Sequence, residues 1–169
     1  DSKNNNDLIL IIGDYDADGT TAASILYLYF KSINLDVEYY IPNRQTEGYG
    51  VSIKAIDYAH KIGAKLIITC DCGITAIEQI EYAKKYNIDT IITDHHKQKD
   101  KLPKAFAILN PNRHDCDYPF KGLCGAGVAF KLCVGVNNAL NNKLDNILQY
   151  TDLVAIATTA DVVPIIDEN

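Results

Sequence analysis

Leu8-Ile9-Leu10-Ile11-Ile12-Gly13-Asp14-Tyr15-Asp16-Ala17-Asp18-Gly19 runs five apolar residues straight into three aspartates at alternate positions. The apolar run, rich in β-branched side chains, reads as a buried strand. If the extended conformation continues past it, side chains at i, i+2 and i+4 point the same way, and Asp14, Asp16 and Asp18 share one face. Carboxylates roughly 5 Å apart at an effective dielectric of about 20 repel by about 3 kcal/mol. Either their pKa values rise or a cation neutralises them. Such a cluster at the end of a buried strand points to a metal site.

Working outward, short β-branched runs alternate with amphipathic segments over the first two-thirds of the chain. Strands are expected at 8–12, 37–41, 66–70, 90–93 and 106–109, with helices at 21–33, 52–62 and 76–86. Thr75 followed by Glu78 predicts a capping box at the start of the third helix. This βαβα order predicts an α/β fold, a mostly parallel sheet with helices on both faces. From Gly125 onward the pattern turns helical, with helices expected at 127–140, 144–150 and 152–161. The polar tract at 2–6 is the only low-complexity stretch. The acidic and imidazole clusters all follow predicted strands: the three aspartates after the first, Asp71 after the third, and Asp94-His95-His96 after the fourth. Carboxyl ends of parallel strands are where open α/β sheets bind ligands, so separate loops converge on one crevice.

Composition narrows the classes. Hydrophobic residues at 47% supply a sizeable core for one domain of 169 residues, and charged residues at 22% are ordinary for a soluble protein. No apolar stretch is long enough to span a bilayer and no signal peptide is visible, so a cytoplasmic protein without a membrane partner is expected. Five cysteines without CxxC spacing fit neither a zinc site nor a disulfide framework, and read as reduced core residues. The net charge of −6 argues against a free-standing nucleic-acid surface, although two divalent cations would bring it to −2. With no initiating Met and a stop after Asp167-Glu168-Asn169, the chain reads as an excerpt of a longer protein.

Oxygen donors with one or two imidazoles suit Mn²⁺ or Mg²⁺, Mn²⁺ being better matched to histidine. Two such ions about 3.5–4 Å apart can activate a water and clamp a phosphoryl group, which makes metal-assisted phosphoester hydrolysis the reaction class. Rivals fail on specific positions. An EF-hand loop beginning at Asp14 needs a bidentate Glu where Ile25 stands. A haloacid dehalogenase-type phosphatase would use Asp14 as nucleophile, but that pattern has Thr or Val at position 18 and a later acidic pair. Gly125 and Gly127 open a helix whose N–H groups either face a phosphate or pack closely. His60 and His114 read as surface residues, and none of the eleven tyrosines stands out as a base-stacking platform.

Five segments carry a family resemblance: GDYDADGTT (13–21), PNRQTEGYG (42–50), Asp71-Cys72-Gly73, Thr93 to His96 and LCGAGVAFKL (123–132), with ADVVP (160–164) as a sixth. Together they resemble the DHH phosphoesterase superfamily, and within it the RecJ single-strand-specific exonucleases. The resemblance implies metal ligands at Asp16, Asp18, Asp71, His95 and Asp161, with Asp71 bridging two ions and Asp14 a ligand or a partner of the ligands. It implies catalytic roles for Asp71, His95 and His96, the last facing the scissile phosphate. Arg44, Gly48, Tyr49 and Gly50 would contact substrate, as would Gly125 and Gly127. Ile12 departs from the His often found there, which shifts coordination toward the aspartates. Trimming of single-stranded DNA from the 5′ end in repair and recombination is the implied activity. A helicase or single-strand-binding protein is implied as partner by the family only. The family's DHH-associated lobe and nucleic-acid-binding domain lie outside the 169 residues, which as one DHH domain are expected to bind Mn²⁺ but degrade DNA poorly. Alternatives are a DHH hydrolase of short oligonucleotides, nucleotide bisphosphate or pyrophosphate, and a non-catalytic scaffold of the same fold.

Overall fold

Five parallel strands in the order β2-β1-β3-β4-β5 form the sheet: β1 (Ile9–Gly13), β2 (Val37–Tyr40), β3 (Leu66–Cys70), β4 (Asp89–Thr93) and β5 (Ala107–Leu109). The structure, a computed structural model, describes residues 7–169; the tract at 2–6 lies outside the described residues. Helices follow as α1 (Ala17–Ser32), α2 (Ile53–Lys61), α3 (Ile77–Lys85), α4 (Gly125–Ala139), α5 (Asp145–Leu148) and α6 (Thr151–Ala160). The α/β architecture expected from the alternating pattern is present, and each expected element is found within a few residues of its place.

Period-two alternation explains how β1 serves two cores at once. Ile9 and Ile11 pack with α1, α4 and α6 on one face, while Leu10 and Ile12 pack with α2 and α3 on the other. Leu10, Ile11 and Ile12 are fully buried, and each such side chain contributes about 1.5–3 kcal/mol. The chain turns to α1 on one face after β1 and to α3 on the opposite face after β3. Adjacent strands whose connections diverge leave a crevice at their carboxyl ends. It opens between Gly13 and Cys70, paired neighbours at the ends of β1 and β3.

Two local expectations are corrected. The segment after β1 is not extended through Asp18, because α1 begins at Ala17, four residues earlier than expected. Asp16 is its N-cap, accepting from the Gly19 N–H at 2.8 Å; an aspartate there satisfies a free donor and complements the helix dipole. Asp14, Asp16 and Asp18 therefore occupy a loop, a cap and a first turn. The capping box at Thr75 and Glu78 is also absent. Ala76 is the N-cap of α3 without a side-chain bond, and backbone turns (Ala76 N–H to Gly73 C=O, Ile77 N–H to Thr75 C=O) lead into the helix instead.

All five cysteines are free, four of them buried, in line with the reduced state expected. Among the described residues, no helix is long and apolar enough to cross a membrane.

Candidate metal centre

Four elements deliver carboxylates and imidazoles to the crevice: the first turn of α1 (Asp18), the end of β3 (Asp71), the end of β4 (His95, His96) and the end of α6 (Asp161). His95 Nε2 lies 3.1 Å from Asp71 Oδ1, 3.8 Å from Asp18 Oδ2 and 3.8 Å from Asp161 Oδ2. His96 Nδ1 is 3.9 Å from Asp71 Oδ1. Two overlapping donor triplets result, Asp71-His95-His96 and Asp18-His95-Asp161, with the atoms of each triplet within 4.8 Å of one another.

Local structure fixes these groups. Asp71 adopts φ +60°, a left-handed conformation that aspartate tolerates better than most residues, and its N–H donates to the Thr93 carbonyl. The β3 end is thereby tied to the loop carrying the histidines. Asp94 organises that loop. Its Oδ1 accepts from the N–H of His95 (2.7 Å) and His96 (3.0 Å) and lies 2.7 Å from His96 Nδ1, while Oδ2 accepts from the Ile74 N–H at 2.9 Å. Asn110 and Asn112 side chains donate to the carbonyls of His96 and His95, at 2.8 and 2.6 Å. Asp18 accepts from the N–H groups of Gly125 and Ala126 at 2.6 and 2.7 Å, so the start of α4 holds it against the cluster.

Protonation follows from crowding and burial. Burial pushes the Asp71 carboxyl up to about 7; the neighbouring His95 opposes this, and the Asp18 and Asp16 charges reinforce it. Burial also raises Asp18, against the Ala126 and Gly125 N–H groups and His95. It raises Asp14 as well, against the Gly50 and Tyr15 N–H groups. For His95, burial favours the neutral ring, but Asp71, Asp18 and Asp161 outweigh it and lift the imidazole to about 9. Burial alone would raise Asp94; the bonds from the His96 ring and backbone and from Ile74 prevail and hold it below the ordinary value. An acid and a base that both retain protons mark a cluster with surplus negative charge.

A divalent cation fits this donor set. Asp71 Oδ1 is buried and, among the described residues, makes no well-aligned hydrogen bond; its contact is the His95 ring nitrogen at 3.1 Å, and an underbonded buried carboxylate oxygen is costly unless a cation fills the gap. Hard oxygen donors plus imidazole suit Mn²⁺ or Mg²⁺. A cation must displace the protons on Asp71 and His95, so its affinity rises with pH. Both folded-state values lie above the ordinary ones. The metal-free protein therefore loses stability from Asp71 as pH climbs from the ordinary carboxylate range to about 7, and from His95 as it climbs from the ordinary imidazole value to about 9. Melting curves with and without Mn²⁺ are expected to diverge as pH rises through that window; a constant difference would separate the cation from these two groups.

Other residues expected at the site border the two triplets or lie outside them. Asp16 is exposed and engaged as the α1 cap, and Asp14 is buried with Oδ1 facing the Gly50 N–H at 3.4 Å; neither joins a donor triplet. Ile12 is fully buried in the apolar core under α2 and α3. Arg44 is exposed, its guanidinium 5.2 Å from the Tyr15 ring. Gly48 and Gly50, at φ +76° and +82°, shape the turn around Tyr49. The Tyr49 hydroxyl reaches His96 at 3.1 and 3.3 Å and donates to the Asp71 carbonyl at 3.3 Å. The N–H of Gly125 is taken by Asp18 and is not open to a phosphate, and Gly127 is buried behind it. His60 and His114 are exposed as expected. The sequence reading missed the anchoring roles of Asp94, Asn110 and Asn112; the Asn110-Pro111-Asn112 turn directly after β5 was the signal for the two asparagines.

Residues 8–158 match the DHH family, N-terminal domain. The single-stranded-DNA-specific exonuclease RecJ of Escherichia coli is 41% identical over 167 residues, covering 93% of this chain and 29% of the relative. The Bacillus subtilis RecJ is 44% identical over 161 residues, covering 95% and 20%. The chain thus spans less than a third of these relatives. A crystal structure of exonuclease RecJ bound to manganese superposes with a TM-score of 0.87 at 34% identity, covering 96% of this chain and 40% of that one. With the family model matching residues 8–158, the chain belongs to the DHH family, of which it carries the N-terminal domain.

Proposed function

We propose that this domain is the catalytic centre of a metal-dependent phosphodiesterase that removes nucleotides from the 5′ end of single-stranded DNA, in the cytoplasm, during repair and recombination. The observation that carries the proposal is the pair of donor triplets overlapping at His95. One imidazole nitrogen has a single lone pair and cannot bridge two ions. A carboxylate can, and Asp71, with an underbonded buried oxygen between His95 and His96, is the bridging candidate.

Two divalent ions, Mn²⁺ or Mg²⁺, would supply an activated water and charge neutralisation at the phosphate. Asp18 and Asp161 with His95 would hold one ion, the aspartate turn at Asp14 and Asp16 would serve the other, and Asp71 would be shared between them. The chain's own groups do the rest. Asp94 accepts from His96 Nδ1 and fixes the ring, and the Asp94 hydrogen bond raises the His96 pKa, which suits it to donate a proton or a hydrogen bond to phosphate. Tyr49 braces the same ring from outside. Arg44, exposed beside Tyr15, is free to grip a phosphate with two parallel N–H bonds.

The full-length protein, given 5′-labelled single-stranded DNA and dinucleotides in parallel, is expected to release the labelled 5′ nucleotide from the longer strand with Mn²⁺ and to stop when the metal is chelated. Preference for the dinucleotide would favour a small-substrate DHH hydrolase, and 3′-first shortening would overturn the polarity.

A further inference from the structure

The loop joining β4 to β5 reverses the charge of the protein beside the metal centre. Residues 97–104 read KQKDKLPK, holding four of the chain's 16 basic side chains against one acid, in a protein of net charge −6. Lys97, Lys99, Lys101 and Lys104 are all exposed. Among the described residues, none of their ammonium groups makes an ion pair, a side-chain hydrogen bond or a ring contact, whereas Arg113 is paired with Asp115 and Lys131 with Glu168. The loop has no regular structure, yet its backbone is fixed. Asn110 grips the His96 carbonyl at the start, Gln98 accepts from the His114 N–H at 3.0 Å, Pro103 is buried, and the Phe106 N–H donates to Thr90 at the end.

We infer that this lysine loop is a docking track for the phosphodiester backbone of single-stranded nucleic acid as it leaves the catalytic centre. The inference rests on the nuclease reading above. The loop begins at the residue after His96, and β5 lies about 4.8 Å beyond β4 in the hydrogen-bonding direction. Because β4 and β5 are parallel and Phe106 bonds back to Thr90, the loop runs from the rim at His96 down the side of the sheet. A strand engaged at His96 that follows this crossover meets the lysines in order. A pinned backbone with free ammonium groups neutralises successive phosphates without reading bases. It concentrates cations locally on a protein whose net charge is −6. A purely solvating role would leave nucleic-acid affinity and its salt response untouched, which makes salt dependence the discriminating measurement.

In the full-length protein, Lys99→Gln, Lys101→Gln and Lys104→Gln are combined, leaving Lys97 and the metal centre intact. The salt dependence of kcat/KM is then measured on a long single strand and on a dinucleotide. Each phosphate contact on a single strand contributes about 0.7 to the slope of log affinity against log salt, so the triple variant is expected to lose about 2 from the slope on the long strand. Dinucleotide hydrolysis stays within twofold, because that substrate ends before the loop. An unchanged slope with normal cleavage of long strands overturns the track and leaves the nuclease reading standing. Equal losses on both substrates also overturn it, by relocating the effect to the centre. Failure of the unsubstituted protein to cleave any long strand removes both together.

Discussion

Asp71→Asn is expected to lower hydrolysis by at least about 10³-fold while the protein still folds, a scale set by the loss of charge stabilisation at a phosphoryl-transfer centre. Asparagine keeps the shape of aspartate and tolerates the left-handed backbone of Asp71, so the turn that ties β3 to β4 survives. The charge does not. Asp71 is the closest partner of His95, at 3.1 Å, and its Oδ1 is the one underbonded oxygen in the cluster. Without that charge the site holds a cation poorly, and His95 drops back toward the ordinary imidazole range because its closest carboxylate partner has gone. Stability moves the other way. Removing a buried carboxylate whose pKa stands at about 7 relieves repulsion from Asp18 and Asp16, so the metal-free variant should melt no lower than the parent. The paired readout is hydrolysis together with melting in chelator and in Mn²⁺. Normal turnover by this variant would end the proposed mechanism. Lost turnover with a metal-dependent melting shift as large as the parent's would move Asp71 from ion binding to another role.

The sheet was legible because its signal is physical and local. Ile9 to Ile12 are β-branched or leucine and bounded by Gly13, and no other element satisfies both faces of such a run. Convergence of Asp18, Asp71 and His95 was legible one step further, since the carboxyl ends of parallel strands share a rim whatever the loop lengths between them; Asp161, at the end of a helix, came only with the family resemblance. The failures came where a side chain was assigned a direction. Spacing of two implies one face only while the chain stays extended, and the helix-capping power of Asp16 ended the extension. That left Asp18 to point at α4 and Asp16 to face solvent. Asp94 offered no sign that it, alone of the Asp-His-His triplet, points inward to hold the other two. The glycines of 125–127 were ambiguous for a related reason: a glycine that admits a ligand and one that admits a neighbouring side chain are the same letter.

That ambiguity yields a second large effect. At Gly125 an added Cβ would lie 2.5 Å from the Cβ and Oδ1 of Asp71 and 2.7 Å from its Cγ. No rotation of Asp71 clears a clash with its own Cβ, and its backbone is fixed by the bond to Thr93. Gly125→Ala must therefore push α4 away from β3, at a cost of about 1–3 kcal/mol for overpacking. The N–H groups that hold Asp18 ride on the same turn of helix, so both donor triplets spread at once. A displacement near 1 Å in such a centre costs about 10²-fold in rate. Gly127→Ala meets the Leu123 side chain, with Cδ2 at 3.3 Å, and Cys124 Sγ at an ordinary 3.8 Å, and is expected to leave both melting and hydrolysis near the parent values. Alanine keeps its N–H, so a phosphate-binding role at position 125 would survive the substitution while a packing role would not. Parent-like activity in Gly125→Ala would return that glycine to the substrate. Equal damage at both positions would mean that the start of α4 tolerates no methyl group at all, and that its contact with Asp71 is not what makes position 125 special.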